Sequence, residues 1–110
     1  MIRKPTAKTL AKYGLDEVLW ALMVARQKGV CALCLTGPKP PRFMLVVDHE
    51  HRKGWAKMPP EQRRLYLRGL VHPHCNHRLL GRWVTAPMSR RVAEYLDAYE
   101  DRKRKEVSGG

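Results

Sequence analysis

No stretch of this 110-residue chain approaches the roughly 20 consecutive apolar residues of a membrane-spanning helix, and Met1-Ile2-Arg3-Lys4-Pro5 lacks the apolar core of a secretory signal. Both absences predict a soluble, cytoplasmic protein. Acidic residues are scarce: 10 Asp and Glu stand against 22 Lys and Arg, a formal net charge of +12. Such a field attracts polyanions and speeds encounter with them, so nucleic acid is the expected partner; an anionic membrane would suit the same charge, but nothing here could span one. Cysteine is sparse and odd in number. Three thiols cannot all pair within one chain, and outside secreted proteins a Cys31-x-x-Cys34 pair more often serves metal or redox chemistry than a structural bridge. There is no internal repeat. A chain this short buries a modest fraction of its surface, so a single domain assisted by a metal or a second subunit is expected.

Residues 1–12 are basic, contain Pro5 and show little apolar periodicity, which predicts a solvated arm. Over residues 16–28, Leu19, Trp20, Leu22, Met23 and Ala25 recur at helical spacing, with Asp16 able to cap the start and Gly29 the end. That helix leads directly into Cys31. The Gly37-Pro38-Lys39-Pro40-Pro41 segment is a turn, and residues 43–47 form an apolar, β-branched run expected as a buried strand entering Asp48. Residues 54–62 read as an exposed loop at a hairpin tip, and residues 65–71 as the returning strand. A short helix is expected over residues 76–80, ended by Gly81. A last one starts at Ser89 and runs through Val92, Leu96 and Tyr99 to about residue 105, with Glu100/Arg104 and Asp101/Lys105 pairs on its polar side. Residues 108–110 are expected to fray.

The second tight pair, His72-x-x-Cys75, has the spacing of the first. Two such knuckles supply the four donors of a tetrahedral structural zinc, because each presents both ligands from one turn. His74 and His77 compete for the fourth place, but only His72 reproduces the spacing. A redox Cys-x-x-Cys and a pair of merely buried thiols are the alternatives. Zinc is worth on the order of 10 kcal/mol in small metal-folded domains, comparable to the whole stability of a chain this size.

Between the knuckles stands Asp48-His49-Glu50-His51, and Asn76 directly follows Cys75. Phosphodiester hydrolysis needs a base for the attacking water and a divalent cation for the charge gathering on phosphate. Imidazole titrates near neutrality, whereas carboxylate and amide oxygens are the hard ligands that Mg²⁺ prefers. His49 as base with Asp48 and Asn76 on magnesium is therefore chemically coherent. The same tetrad could equally be surface polarity, or a site for a second transition metal without hydrolysis.

Tyr13-Gly14-Leu15, QKGVCALC over residues 27–34, VDHEHRKG over residues 47–54, Arg68-Gly69-Leu70, Cys75-Asn76 and Leu80-Gly81 together resemble the phage recombination endonuclease VII family, a branch of the ββα-metal (His-Me finger, HNH-like) nucleases. The resemblance covers residues 13–99. It implies an α+β fold, a small zinc-stabilised ββα-metal core with flanking N- and C-terminal helices: a basic arm over residues 1–12, the nuclease domain over residues 13–106 and a flexible tail over residues 107–110. It further implies a Mg²⁺- or Mn²⁺-dependent endodeoxyribonuclease with His49 as base, Asp48 and Asn76 as metal ligands, and His51 supporting the site or contacting phosphate. A homodimer resolving Holliday junctions and other branched DNA follows, since two sites are needed to nick two strands. Its place would be phage recombination or DNA packaging in the host cytoplasm. The chain departs from the family in having His72 where cysteine is usual, in a longer hairpin over residues 55–66, and in lacking an acidic residue over residues 77–80, for which Glu50 is the substitute metal ligand.

A nicking or homing-type HNH endonuclease acting on duplex DNA shares these residues, and a non-catalytic zinc module shares the charge and the knuckles. Lys53, Arg63, Arg64, Arg68, Arg78, Arg82, Arg90 and Arg91 are the candidate phosphate contacts; Trp20 is expected in the core, and Trp55 and Trp83 partly buried or stacked on bases.

Overall fold

A helix begins most readily where a short polar side chain can take up its unpaired N–H groups. In the computed structural model, which describes residues 2–81 and 84–109, Thr6 caps α1 (Ala7–Lys12) and Asp16 caps α2 (Glu17–Arg26), each accepting from the N–H three residues on. The second helix was expected. The first falls in the segment read as a solvated arm, and Leu10 accounts for the difference: only 2% exposed, it anchors the segment in the core. At the end of α2, Lys28 (φ 56°) and Gly29 (φ 73°) turn left-handed and Gly29 N–H closes on Val24 O, which aims the chain at Cys31.

Two antiparallel strands follow, β1 (Val46–His49) and β2 (Leu67–Val71), with Val46 opposite Val71 and Val47 opposite Leu70. The strand expected over residues 43–47 starts later and runs further. Phe43 sits at φ 49° with its N–H on Lys39 O, so it closes the proline-rich turn and cannot join the pleat. Asp48 and His49 consequently lie inside the strand. The tip expected as an open loop instead folds into a 3₁₀ turn (Trp55–Lys57), α3 (Pro60–Arg63) and a second 3₁₀ turn (Arg64–Tyr66), which shortens the returning strand. Then comes α4 (Pro73–Leu79), starting earlier than expected because Pro73 fills the first helical position, where a missing N–H costs nothing. It packs on β1, so the order strand, strand, helix is also a packed unit.

The core gathers Leu10, Leu15, Trp20, Leu45, Val47, Leu70 and Val71 with Cys31 and Cys75. Gln27 braces it at the side of β2. Its amide accepts from Leu70 N at 2.8 Å and donates to Leu70 O at 2.8 Å and Val30 O at 2.9 Å.

The chain divides into two units, Met1–Leu80 and Gly81–Gly110. The second is built on α5 (Ala86–Gly109), which starts ahead of Ser89 because Thr85 Oγ1 accepts from Met88 N at 3.2 Å and so serves as the cap. Arg104 pairs with Asp101 at 2.6 Å, and Met88, Val92, Leu96 and Tyr99 are exposed. Arg82 and Trp83 lie outside the described residues. Among the described residues no helix is long and apolar enough to cross a membrane.

Candidate functional site

The left-handed exit from α2 delivers Cys31 into a tight loop closed by Leu35 N–H on Cys31 O at 3.0 Å and Cys31 N–H on Thr36 O at 2.9 Å. The loop turns Cys34 back toward Cys31. On the other side of the hairpin, His72 stands at the N-cap position of α4 and Cys75 in its first turn. The donor atoms of Cys31, Cys34, His72 and Cys75 all lie within 4.8 Å of one another. A tetrahedral zinc with bonds of about 2.0–2.3 Å spaces its donors by roughly 3.4–3.8 Å, so a small contraction completes the shell. Cys34 Sγ lies 3.1 Å from His72 Nδ1, while His72 Nε2 lies 2.7 Å from Gly37 O. That second contact fixes the imidazole so that Nδ1 faces the thiols. Leu33 N–H (3.4 Å) and His72 N–H (3.3 Å) both donate to Cys31 Sγ, the stabilisation a thiolate ligand needs. Without a metal the thiols diverge: hydrogen bonds from the Thr36 side chain and backbone bring Cys34 down to about 6, and burial, with the neighbouring thiols, pushes Cys75 up to about 11. The Cys₃His set can hold a structural metal such as zinc. His74 and His77, the competing ligands, are exposed on α4 and outside the cluster.

The sheet register slips between Asp48 and His49: Asp48 faces Gly69 and His49 faces Leu67, which leaves Arg68 as the extra residue of a bulge. Its guanidinium turns onto the buried Asp48 carboxylate, Nε to Oδ2 at 2.7 Å and Nη2 to Oδ1 at 3.0 Å. This planar fork neutralises a side chain only 5% exposed, and its hydrogen bonds raise the Arg68 pKa further.

His49 lies in an aromatic setting. Its ring stacks on Trp55 at 4.0 Å between centroids and 21° between planes, meets the edge of Tyr13 at 5.7 Å, and has His51 4.9 Å away. Trp55, expected to be partly buried, is only 6% exposed. Burial lowers the His49 pKa below its ordinary 6.5, assisted by the neighbouring His51. Neither ring nitrogen of His49 has a hydrogen-bond partner among the described residues, so the imidazole is free to take a proton.

Asn76 is half-buried on α4, its side-chain amide without a partner among the described residues; no hydrogen bond joins it to Asp48 or His49. Glu50 is occupied by Arg52 at 3.2 Å. Of the expected phosphate contacts, Arg63 donates to Met58 O and Ala11 O, Arg64 to Gly14 O and Arg68 to Asp48, so these three serve the fold. Lys53, Arg78, Arg90 and Arg91 are exposed. The sequence reading missed Tyr13 and Trp55 as neighbours of His49; a tryptophan in an unusually long hairpin tip was the available signal.

A family model described as recombination endonuclease VII matches residues 6–98. No curated protein and no solved structure gives a match.

Proposed function

The chain belongs to the recombination endonuclease VII family, and from that premise we propose that it is a metal-dependent DNA endonuclease of the His-Me finger type, selective for branched DNA such as four-way junctions. The observation that carries this reading is the reach of the family match, which takes in both knuckles, Asp48-His49 and Asn76 in order. The +12 charge suits a DNA substrate.

In this reading His49 takes the proton of the attacking water, for which its unpartnered nitrogens and depressed pKa suit it. His51, beside it, contacts phosphate. Asp48 and Asn76, with Glu50 as a third candidate, would hold Mg²⁺ or Mn²⁺, which neutralises charge on the phosphate when bound. The donors fit such a cation: the Asn76 amide is uncommitted, and the Asp48 oxygens, each accepting one N–H from Arg68, keep further lone pairs. The zinc set, by ending at Cys75, fixes the start of the helix that bears Asn76. Two copies of the chain, acting in the cytoplasm in phage recombination or DNA packaging, would cut two strands of a junction.

One observation favours a second reading. The Arg68 fork already engages both oxygens of Asp48, a purely structural role that suits a non-catalytic zinc-bearing DNA-binding module. A labelled four-way junction and a linear duplex of the same sequence, each with Mg²⁺ and with EDTA, decide between them. Paired Mg²⁺-dependent cuts near the branch, abolished in His49→Ala, are expected. Equal cutting of both substrates would leave an HNH nuclease of duplex DNA, and binding without cleavage in any divalent metal would leave the module.

A further inference from the structure

A histidine that works as a base has to be held with one nitrogen toward its water, and the usual device is a hydrogen bond to the other nitrogen. His49 has no such bond among the described residues. Its ring is nevertheless confined, because the indole of Trp55 lies against one face at 4.0 Å and 21°, and Tyr13 closes on it edgewise at 5.7 Å and 60°. We infer that Trp55 is the positioning residue for His49, its buried indole face standing in for the missing hydrogen bond and setting the plane of the reactive imidazole. The inference rests on the reading of His49 as the base.

The indole itself is held in place by its own contacts. Its Nε1–H donates to Arg63 O at 3.0 Å, which stops the ring turning in its own plane, and Tyr13 packs on it at 5.8 Å. The segment that carries Trp55 is in turn moored to the end of α1 and the turn after it. Arg63 Nη2 donates to Ala11 O at 3.1 Å, Arg64 Nε donates to Gly14 O at 2.7 Å, and the Pro60 carbonyl lies so near Gly14 that a Cβ there would come within 2.1 Å of it. Tyr13 sits in that same turn. The long hairpin tip therefore has a positive role: it brings an aromatic face over a residue of β1 that the strand pair alone would leave with one side open. Stacking is suited to this task because it restrains the ring plane while leaving both nitrogens available, which a hydrogen bond would not.

Trp55→Leu keeps an apolar side chain but removes the flat face, and Trp55→Phe restores a flat face without the indole N–H. Misplacing a reacting group by about 1 Å costs on the order of 100-fold in rate, so Trp55→Leu is expected to lower kcat about 10- to 100-fold on branched DNA with Mg²⁺ at nearly unchanged KM, and Trp55→Phe to recover most of it. A readout that needs neither Mg²⁺ nor turnover accompanies the kinetics. In the NMR spectrum of the zinc-loaded full chain, the carbon-bound ring protons of His49 lie under the indole and are shifted upfield; Trp55→Leu moves them toward ordinary values while the methyl resonances of Leu45 and Leu70 in the core stay in place. If His49→Ala is inactive but Trp55→Leu cuts at the parental kcat, the positioning role is overturned and the base stands. If the two Trp55 variants lose activity equally and in proportion to stability, the role is structural only and the inference fails. His49→Ala cutting as well as the parent would overturn the base reading and this inference with it.

Discussion

Gly14 and Gly29 share one backbone conformation and differ in what surrounds them, so alanine at each separates strain from space. Both sit at φ +73°, where an L side chain costs roughly 1–2 kcal/mol. At Gly29 an added Cβ meets nothing within 4 Å, and that strain is the whole expected cost. At Gly14 the Cβ would stand 2.1 Å from Pro60 O, where contacts under 3.0 Å essentially do not occur, so the hairpin tip must retreat by about 0.9 Å, the difference of the two. Retreat pulls Arg64 off Gly14 O, a half-buried charged hydrogen bond worth about 1 kcal/mol after screening, and loosens the packing of Trp55 on Tyr13, another 0.5–1.5 kcal/mol or so. Gly14→Ala is therefore expected to destabilise the zinc-loaded protein by about 3–4 kcal/mol and Gly29→Ala by about half that. Urea unfolding followed by circular dichroism resolves the gap as a midpoint difference of about 1 M or more, at a slope of roughly 1–2 kcal/mol/M. Equal midpoints for the two variants would show that the tip does not bear on this turn, and the account of how Trp55 is held would fall.

Stripping zinc with a strong chelator, or replacing Cys75 by Ser, is expected to unfold the chain, since the metal is worth on the order of 10 kcal/mol against a comparable total; retained helical circular dichroism in metal-free protein would refute this. Arg68→Ala leaves the buried Asp48 carboxylate without its fork, and after discounting for the partly exposed guanidinium we expect a loss of about 1–3 kcal/mol, read from the thermal midpoint; an unchanged midpoint would mean that the ion pair is dispensable. The His49 pKa is lowered in the folded protein, so the neutral ring persists below pH 6.5, and with His49 as the proposed base activity is expected to be lost only as pH falls through the folded value. The same sign makes this histidine's contribution to stability decline once pH drops below its unfolded value, because the unfolded chain binds the proton more readily. An acid limb of kcat/KM at or above pH 6.5 would contradict the burial of the ring.

The parts legible in the sequence are those set by local spacing. Asp16 announces the start of α2, and the matched Cys31/Cys34 and His72/Cys75 spacings place four donors that the structure brings together. Strand boundaries were less legible, because the proline-rich turn reaches as far as Phe43 through a left-handed residue that apolar patterning does not register. Leu10 was hidden for a different reason: a single apolar side chain amid basic residues carries no periodicity, yet it suffices to fold α1 onto the core. Arg68 carries no such local signal, and Trp55 only the hint of an aromatic in an unusually long hairpin tip. The fork to Asp48 depends on a register slip, and the stack on His49 on a tip moored to a turn roughly fifty residues earlier, as the Arg64–Gly14 contact shows.

Gln27 has a consequence for how the chain behaves among other copies of itself. A two-stranded sheet has raw edges, each offering backbone groups to any passing strand, and the apolar stretch ending in Leu70-Val71 would be an inviting template. The Gln27 amide takes both the N–H and the C=O of Leu70, and Ala32 N–H adds to the same carbonyl at 3.1 Å. The middle of that edge is thus sealed by a side chain from outside the sheet, and a strand from another molecule finds the Leu70 rung already taken.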